Sequence, residues 1–272
     1  MPAILIIAAT LALQSCQKED GLLNDSNPSP ALKSSEMNTF YGPTVPVGNG
    51  VARAWVKVNK SGDPESVGVN FTEKALQRLS DTVSEEFVLP FPKMKGGGFY
   101  THALMEWNPL GHPPIGVYDT AHFDFHFYTI SNEARMAIKG SDPFVPIDGN
   151  FVPPNYVAIP PGNPEVVPQM GSHWIDLLSN EWVNPGPGAF TKTFIWGSYN
   201  GNFVFWEPMI TKFYFNDLKE GPVHSVESMV PQPDAYQEVG WYAQNYNVSY
   251  STHPNQFTVA LTHLKHWPED FN

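Results

Sequence analysis

The chain of 272 residues carries 27 Pro and 21 Gly but only 15 basic and 27 acidic residues, so it is rich in turns and poor in charge. Hydrophobic residues at 42% and aromatics at 14% supply enough apolar surface for a sizeable core, which excludes global disorder. A formal charge of −12 repels phosphate backbones and anionic headgroups and argues against nucleic acid as a partner.

Residues 3–13 form an uncharged apolar run that would be about 16 Å long as a helix, roughly half of the ~30 Å needed to cross a bilayer. It has the length of a secretory hydrophobic region, ends near the small residue Ser15 and is followed at once by Cys16, although Met1-Pro2 ahead of it carry no basic side chain. Leu13-Gln14-Ser15-Cys16 resembles a bacterial lipobox. That resemblance implies a signal peptide over residues 1–15, cleavage before Cys16, diacylation of Cys16 and a membrane partner reached through lipid. Cys16 is the only cysteine, so with Cys16 taken up by lipid, as that resemblance implies, no disulfide, thiolate nucleophile, thiolate metal site or Cys-x-x-Cys-His haem attachment is available, and any metal ligand must be nitrogen or oxygen. Gln17-Lys18-Glu19-Asp20 resembles the Lys-plus-acid export signal of surface lipoproteins in Bacteroidota-type bacteria, the alternative being a solvated linker. The expected location is the cell envelope, anchored to the outer membrane, with the periplasmic or external face left open. The rest of residues 16–48 is rich in Asn, Ser and Pro and reads as a flexible tether, holding the domain on the order of 30 Å from the membrane.

Residues 49–272 read as a single, mainly β domain. Strands are expected at 51–59 and 67–71 around the turn Lys60-Ser61-Gly62-Asp63-Pro64, followed by a short helix from Glu73 to Leu79 capped by Thr72. Further strands are expected at 99–107 and 121–130, and a second short helix after Ser131, ending at Gly140. The proline-rich stretch 143–168 reads as a long excursion. The strongest hairpin runs from Phe190 to Tyr199, turns at Asn200-Gly201 and continues from Phe203, because Asn-Gly readily adopts the positive φ values of a type I′ turn. Strands at 209–215, 246–251 and 256–264 complete an antiparallel sandwich or distorted barrel with a few short helices at its margins.

In His122-Phe123-Asp124-Phe125-His126-Phe127-Tyr128 the two-residue period of a strand puts His122, Asp124 and His126 on one face and three phenylalanines on the other. Two imidazoles beside a carboxylate suit zinc or another first-row divalent ion. On a straight strand the Cα atoms of His122 and His126 are about 13 Å apart, while an imidazole carries a metal only about 6 Å from its own Cα. Either a bulge brings the two together or one of them serves a second site. His173, in Met170-Gly171-Ser172-His173-Trp174, and Glu207, in the apolar run Phe205-Trp206-Glu207-Pro208-Met209, are the further candidate ligands. Taken singly, His173 reads as a hydrogen-bonded core histidine and Glu207 as a strand-end residue reaching water. One shared site with His122, Asp124 and His126 accounts for them together. His112, in the loop leading to this strand, could supply a ligand from that loop but reads first as a turn residue, and His102 reads as structural or exposed.

Trp107-Asn108-Pro109-Leu110-Gly111-His112-Pro113-Pro114, Val117-Tyr118-Asp119, the His122 to Tyr128 run, Met170 to Trp174, Phe194-Ile195-Trp196-Gly197 and Glu207-Pro208-Met209-Ile210-Thr211 follow one another in an order that resembles an uncharacterised bacterial domain family. That family is typified by a thermophile protein under sigma-E/anti-sigma-E control. The resemblance covers about residues 48–265 and implies a mainly β domain on secreted or lipid-anchored proteins, with no established reaction. The His122-x-Asp124-x-His126 run is also similar, more distantly, to the metal strand of α-type carbonic anhydrases, with Asp124 where those enzymes place a second His.

Three functions remain open at this point. The first is a lipid-anchored protein with a divalent metal, catalytic or structural. The second is a carbohydrate- or ligand-binding module drawn from eight tryptophans, among them Trp55, Trp107, Trp174 and Trp182, or its glycosidase variant with Glu106, Asp124 and Glu207 as carboxylates. The third is an envelope-stress structural protein, with a homo-oligomer left open. The chain has no Gly-x-Ser-x-Gly elbow and no His-Glu-x-x-His, and Gly96-Gly97-Gly98 lacks the Lys-Ser/Thr of a nucleotide-binding Walker A loop.

Overall fold

The computed structural model describes residues 39–94 and 98–271. The leader at 1–15, Cys16 and the tether as far as residue 38 lie outside the described residues. Two open, antiparallel, seven-stranded sheets make a sandwich. The first runs in the order β1 (Thr39–Tyr41), β3 (Gly50–Val58), β4 (Pro64–Thr72), β14 (Asn255–Trp267), β13 (Gly240–Thr252), β12 (Ser225–Met229), with β2 (Val45–Val47) also paired to β3. The second runs β5 (Glu85–Pro90), β6 (His102–Asn108), β7 (His122–Tyr128), β11 (Asn202–Thr211), β10 (Lys192–Tyr199), β9 (Ser172–Asp176), β8 (Tyr156–Ala158). Among the described residues, β1 and β2, which lie before the expected boundary at 49, both belong to the first sheet.

The core lies between the sheets and is largely aromatic. Phe123, Phe125 and Phe127 point from β7 into it, beside Met105 and Trp107 of β6, Trp206 of β11 and Trp196 of β10. Phe71 of β4 and Phe257 of β14 meet them from the first sheet. Each buried Phe removes enough apolar surface from water to contribute up to ~3 kcal/mol. The alternation in the His122 to Tyr128 run therefore has the cause the sequence suggests: its Phe face is core.

Local chemistry explains most boundaries. Asn200 and Gly201 take φ of 51° and 76° and close the β10–β11 hairpin. Ser131 Oγ accepts from the Ala134 N–H at 3.2 Å and starts α1 (Asn132–Met136), which stops short of the expected Gly140; α2 (Asn180–Val183) is a single turn after β9. The expected helix at Glu73 to Leu79 is a single 3-10 turn, Glu73–Leu76; Thr72 does not cap it, because its hydroxyl accepts from the Val51 N–H instead. The expected strand at 209–215 ends at Thr211. There the Thr211 hydroxyl caps α3 (Lys212–Glu220), whose Phe215 and Leu218, three residues apart, are buried. The 143–168 excursion contains β8, the edge strand next to β9.

Candidate metal centre

All seven residues of β7 are buried, His122, Asp124 and His126 at 0%, 2% and 1% exposure, so its polar face is not a solvent face. It is covered by the loop of residues 109–121 and by Tyr118, Phe190, Ile195 and Met209 near one end, and by Leu104, Val204 and Phe205 near the other. Burying three ionisable groups in a row without compensation is expensive. The compensation takes the form of two separate triads.

The first triad is His112, His122 and Asp124, whose ligand atoms lie within 4.8 Å of one another. His122 and Asp124 stand two residues apart on β7, and His112 reaches in from the covering loop. His122 Nε2 is 3.1 Å from Asp124 Oδ1, and His112 Nε2 is 3.3 Å from Asp124 Oδ2. Each imidazole turns its other nitrogen to a backbone carbonyl: His122 Nδ1 to Thr120 O at 2.5 Å and His112 Nδ1 to Pro113 O at 2.8 Å. A carbonyl only accepts, so both Nδ1 atoms carry hydrogen and both Nε2 atoms, in a neutral ring, present lone pairs to a carboxylate. Acceptor faces acceptor, and a proton or a metal cation must lie between them. Asn108 Nδ2 donates to Asp124 Oδ2 at 2.8 Å, and Ser84 Oγ donates to Asn108 Oδ1 at 2.6 Å, which fixes the carboxylate. This is the outer shell by which metal-binding imidazoles and carboxylates are commonly oriented.

The second triad is His126, His173 and Glu207, again within 4.8 Å. His126 comes from β7, Glu207 from β11 and His173 from β9. The β7–β11 pairs Trp206↔Phe127 and Met209↔Asp124 bring Glu207 opposite His126, at a point where Pro208 has no N–H to give to the ladder. Glu207 Oε1 is 3.4 Å from His126 Nε2, and Oε2 is 3.6 Å from His173 Nε2. Both nitrogens of His126 and Glu207 Oε2 are buried without a hydrogen-bond partner, as are His122 Nε2 and Asp124 Oδ1 in the first triad.

Between β9 and β11 lies Gly197 of β10, paired with both His173 and Phe205. A Cβ there would come 1.9 Å from Phe205 Cζ, so the Phe205 ring lies directly over the glycine. Its centroid is 5.0 Å from that of His126 and 5.2 Å from that of His173. Gly197→Ala is expected to cost about 1–3 kcal/mol by overpacking and to loosen the second triad through Phe205. A urea titration with an unchanged midpoint would contradict this.

Electrostatics differ between the triads. Burial alone would raise the Asp124 carboxyl, but His122 and His112 outweigh it and hold it well below the usual carboxylate range. Burial pulls His112 down, and the Asp124 carboxylate more than reverses this, leaving it at about 9. In the second triad burial dominates throughout, lowering His126 to about 3 and His173 to about 4 and pushing the Glu207 carboxyl well above its ordinary value. Glu106 of β6, paired with Asp124, is raised to about 8 by burial and then by the Asp124 charge.

Donor chemistry and spacing both suit a cation. Tetrahedral bonds of about 2.1 Å place neighbouring ligand atoms about 3.4 Å apart, and the four imidazole–carboxylate contacts fall between 3.1 and 3.6 Å.

The structure places all five candidate ligands expected from the sequence in His-carboxylate clusters, but in two groups rather than one. His122 and Asp124 belong to one triad and His126, His173 and Glu207 to the other. β7 pairs with β6 in unbroken register and has no bulge there, so His122 and His126 keep the separation of a straight strand. His112, expected as a turn residue, completes the first triad; its place in the loop entering β7 was the available signal. His102 stacks on Tyr128 at 4.9 Å and joins neither triad. No family model, curated protein or solved structure matches the chain.

Proposed function

We propose that this protein is a lipid-anchored metal-binding domain of the cell envelope that holds zinc or another first-row divalent ion in each of its two His-His-carboxylate triads. One observation carries the reading: in each triad buried groups meet at ligand-shell spacing with atoms left without a hydrogen-bond partner, His122 Nε2 facing Asp124 Oδ1 in the first and His126 Nε2 facing the Glu207 carboxyl in the second. Two imidazoles and one carboxylate are a borderline ligand set that favours zinc and its first-row neighbours over calcium or magnesium. A cation so held acts as a Lewis acid if a coordination position stays open and as a structural clip if it does not. Around it, the chain's own groups orient and desolvate: the Thr120 and Pro113 carbonyls fix the ring tautomers, Asn108 holds Asp124, and Phe205 excludes water from His126 and His173.

The anchor is supported by the Leu13-Gln14-Ser15-Cys16 sequence, and the bacterial envelope setting by the family resemblance over residues 48–265. The carbohydrate-binding alternative loses part of its motive, since four of the eight tryptophans are buried and the other four half-buried. Trp107 and Trp174 are buried, and the indole N–H groups of Trp55 and Trp182 are bonded to Asn70 and Tyr118.

Metal analysis of protein made without a histidine tag tests the metal reading. The wild type is expected to carry or take up two ions per chain, while His122→Ala and His173→Ala each lose one. A folded wild type that takes up no zinc refutes it. For the anchor, Cys16→Ser is expected to move the protein from the detergent phase to the aqueous phase on detergent partitioning; no change would refute lipidation.

A further inference from the structure

The two triads are built differently. His126, His173 and Glu207 all stand on strands of one sheet, with side-chain exposures of 1%, 14% and 2%. In the first triad His122 and Asp124 are as deep, at 0% and 3%, but His112 is 33% exposed and sits on a loop. That loop is pinned near its far end, where the Trp182 indole donates to the Tyr118 hydroxyl and the His112 N–H bonds to Tyr118 O. Its crown is free: Leu110 and Ile115 are 65% and 89% exposed, and nothing lies within 4 Å of a Cβ built on Gly116. His112 is thus both the last ligand and the boundary between its centre and solvent.

We propose, on the basis of the metal reading above, that the two centres do different work: the His126–His173–Glu207 centre is closed and structural, while the His112–His122–Asp124 centre keeps an exchangeable coordination position, open past His112, that accepts a small oxygen or nitrogen donor. Three protein ligands leave a fourth position in either triad; in the second it is shut in by side chains on the strands of one sheet, whereas in the first it can be reached past the partly exposed His112. Entry past a single imidazole restricts the incoming group to a few non-hydrogen atoms, such as a small carboxylate, or to the projecting oxygen of a larger molecule. A ligand carried on a loop also lets the ion leave more readily than one held by three strands of a single sheet.

The test uses the full chain, without a histidine tag, loaded with cobalt(II), whose visible bands report coordination. Azide is the probe of an open position. Two cobalt ions are expected, with azide changing the bands of one. His112→Ala should abolish the azide response and Glu207→Gln should leave it intact, circular dichroism confirming that both variants fold. A second measurement needs no variant: a chelator should strip the wild-type ions in two phases, and the azide-sensitive bands should disappear in the faster one. Cobalt uptake with no azide response, or a response that survives His112→Ala and is lost in Glu207→Gln, overturns the assignment while leaving the metal reading standing. If one variant is unfolded, azide-sensitive bands that decay in the slower phase overturn it. Absence of any cobalt uptake refutes both.

Discussion

On the metal reading proposed above, stripping the protein of both ions is expected to lower its melting temperature by on the order of 20 °C. An ion present at a thousand times its dissociation constant stabilises the folded state by about 4 kcal/mol per site, and a domain of this size moves ~2–4 °C for each kcal/mol. Only the native state supplies either triad, because the second is assembled from three strands and the first from a strand and a loop. The size of the drop should depend on pH. In metal-free protein, burial holds His126 and His173 neutral, at about 3 and about 4 against an ordinary 6.5. Their contribution is present above 6.5 and lost as pH falls towards the folded values. Glu207 runs the other way: its carboxyl is raised, so the metal-free fold is favoured below the ordinary glutamate value of 4.5 and weakened as pH rises from there. His112, raised to about 9, likewise contributes fully below 6.5 and loses that contribution as pH climbs to about 9. A cation replaces the Glu207 and His112 protons, so metal binds more tightly as pH rises, and the loss on chelation should be larger at about pH 8 than at about pH 6. Equal losses at both, measured by thermal denaturation with and without chelator, would mean that no proton is displaced.

The largest single-residue effect on stability is expected from Phe71→Ala, at about 3–5 kcal/mol. Phe71 is fully buried on β4 and lies within 5.2 to 6.2 Å, centroid to centroid, of Phe215 on α3, Phe257 on β14, and Phe125 and Phe123 on β7. It therefore joins both sheets and the longest helix, and its removal leaves a cavity that none of these elements can fill without shifting. Because Phe123 and Phe125 point away from the ligand face of the same strand, folded variant should retain its metal. Phe40→Ala, at a side chain 47% exposed, provides the comparison and should cost no more than about 0.5 kcal/mol. Equal denaturant midpoints for the two variants would show that the sheets are not packed through this ring.

Much of this molecule was legible in its residues taken in order. A period of two in the His122 to Tyr128 run separates ligands from core on β7, Asn200-Gly201 marks its hairpin, and a strand rise of about 3.3 Å per residue already forbids His122 and His126 from sharing an ion on a straight strand. These are properties of a few neighbouring residues, and the backbone settles them locally. The strand expected at 209–215 fails at Lys212 to Phe215, where the Thr211 cap and the burial of Phe215 and Leu218 select helix.

What only the tertiary structure decided is which distant groups meet. Glu207 faces His126 because β11 pairs with β7 across a ladder interrupted at Pro208, and His173 arrives because β9 is the next strand but one, with Gly197 leaving the space between them for Phe205. His112 joins the first triad because its loop folds back over the sheet and is held there by Tyr118. Register between strands far apart in sequence, and the return path of a loop, are set by packing summed over the whole domain. The sequence could therefore determine that His122, Asp124 and His126 share one face of a strand, and only the assembled sheet could bury that face and divide its groups between two triads.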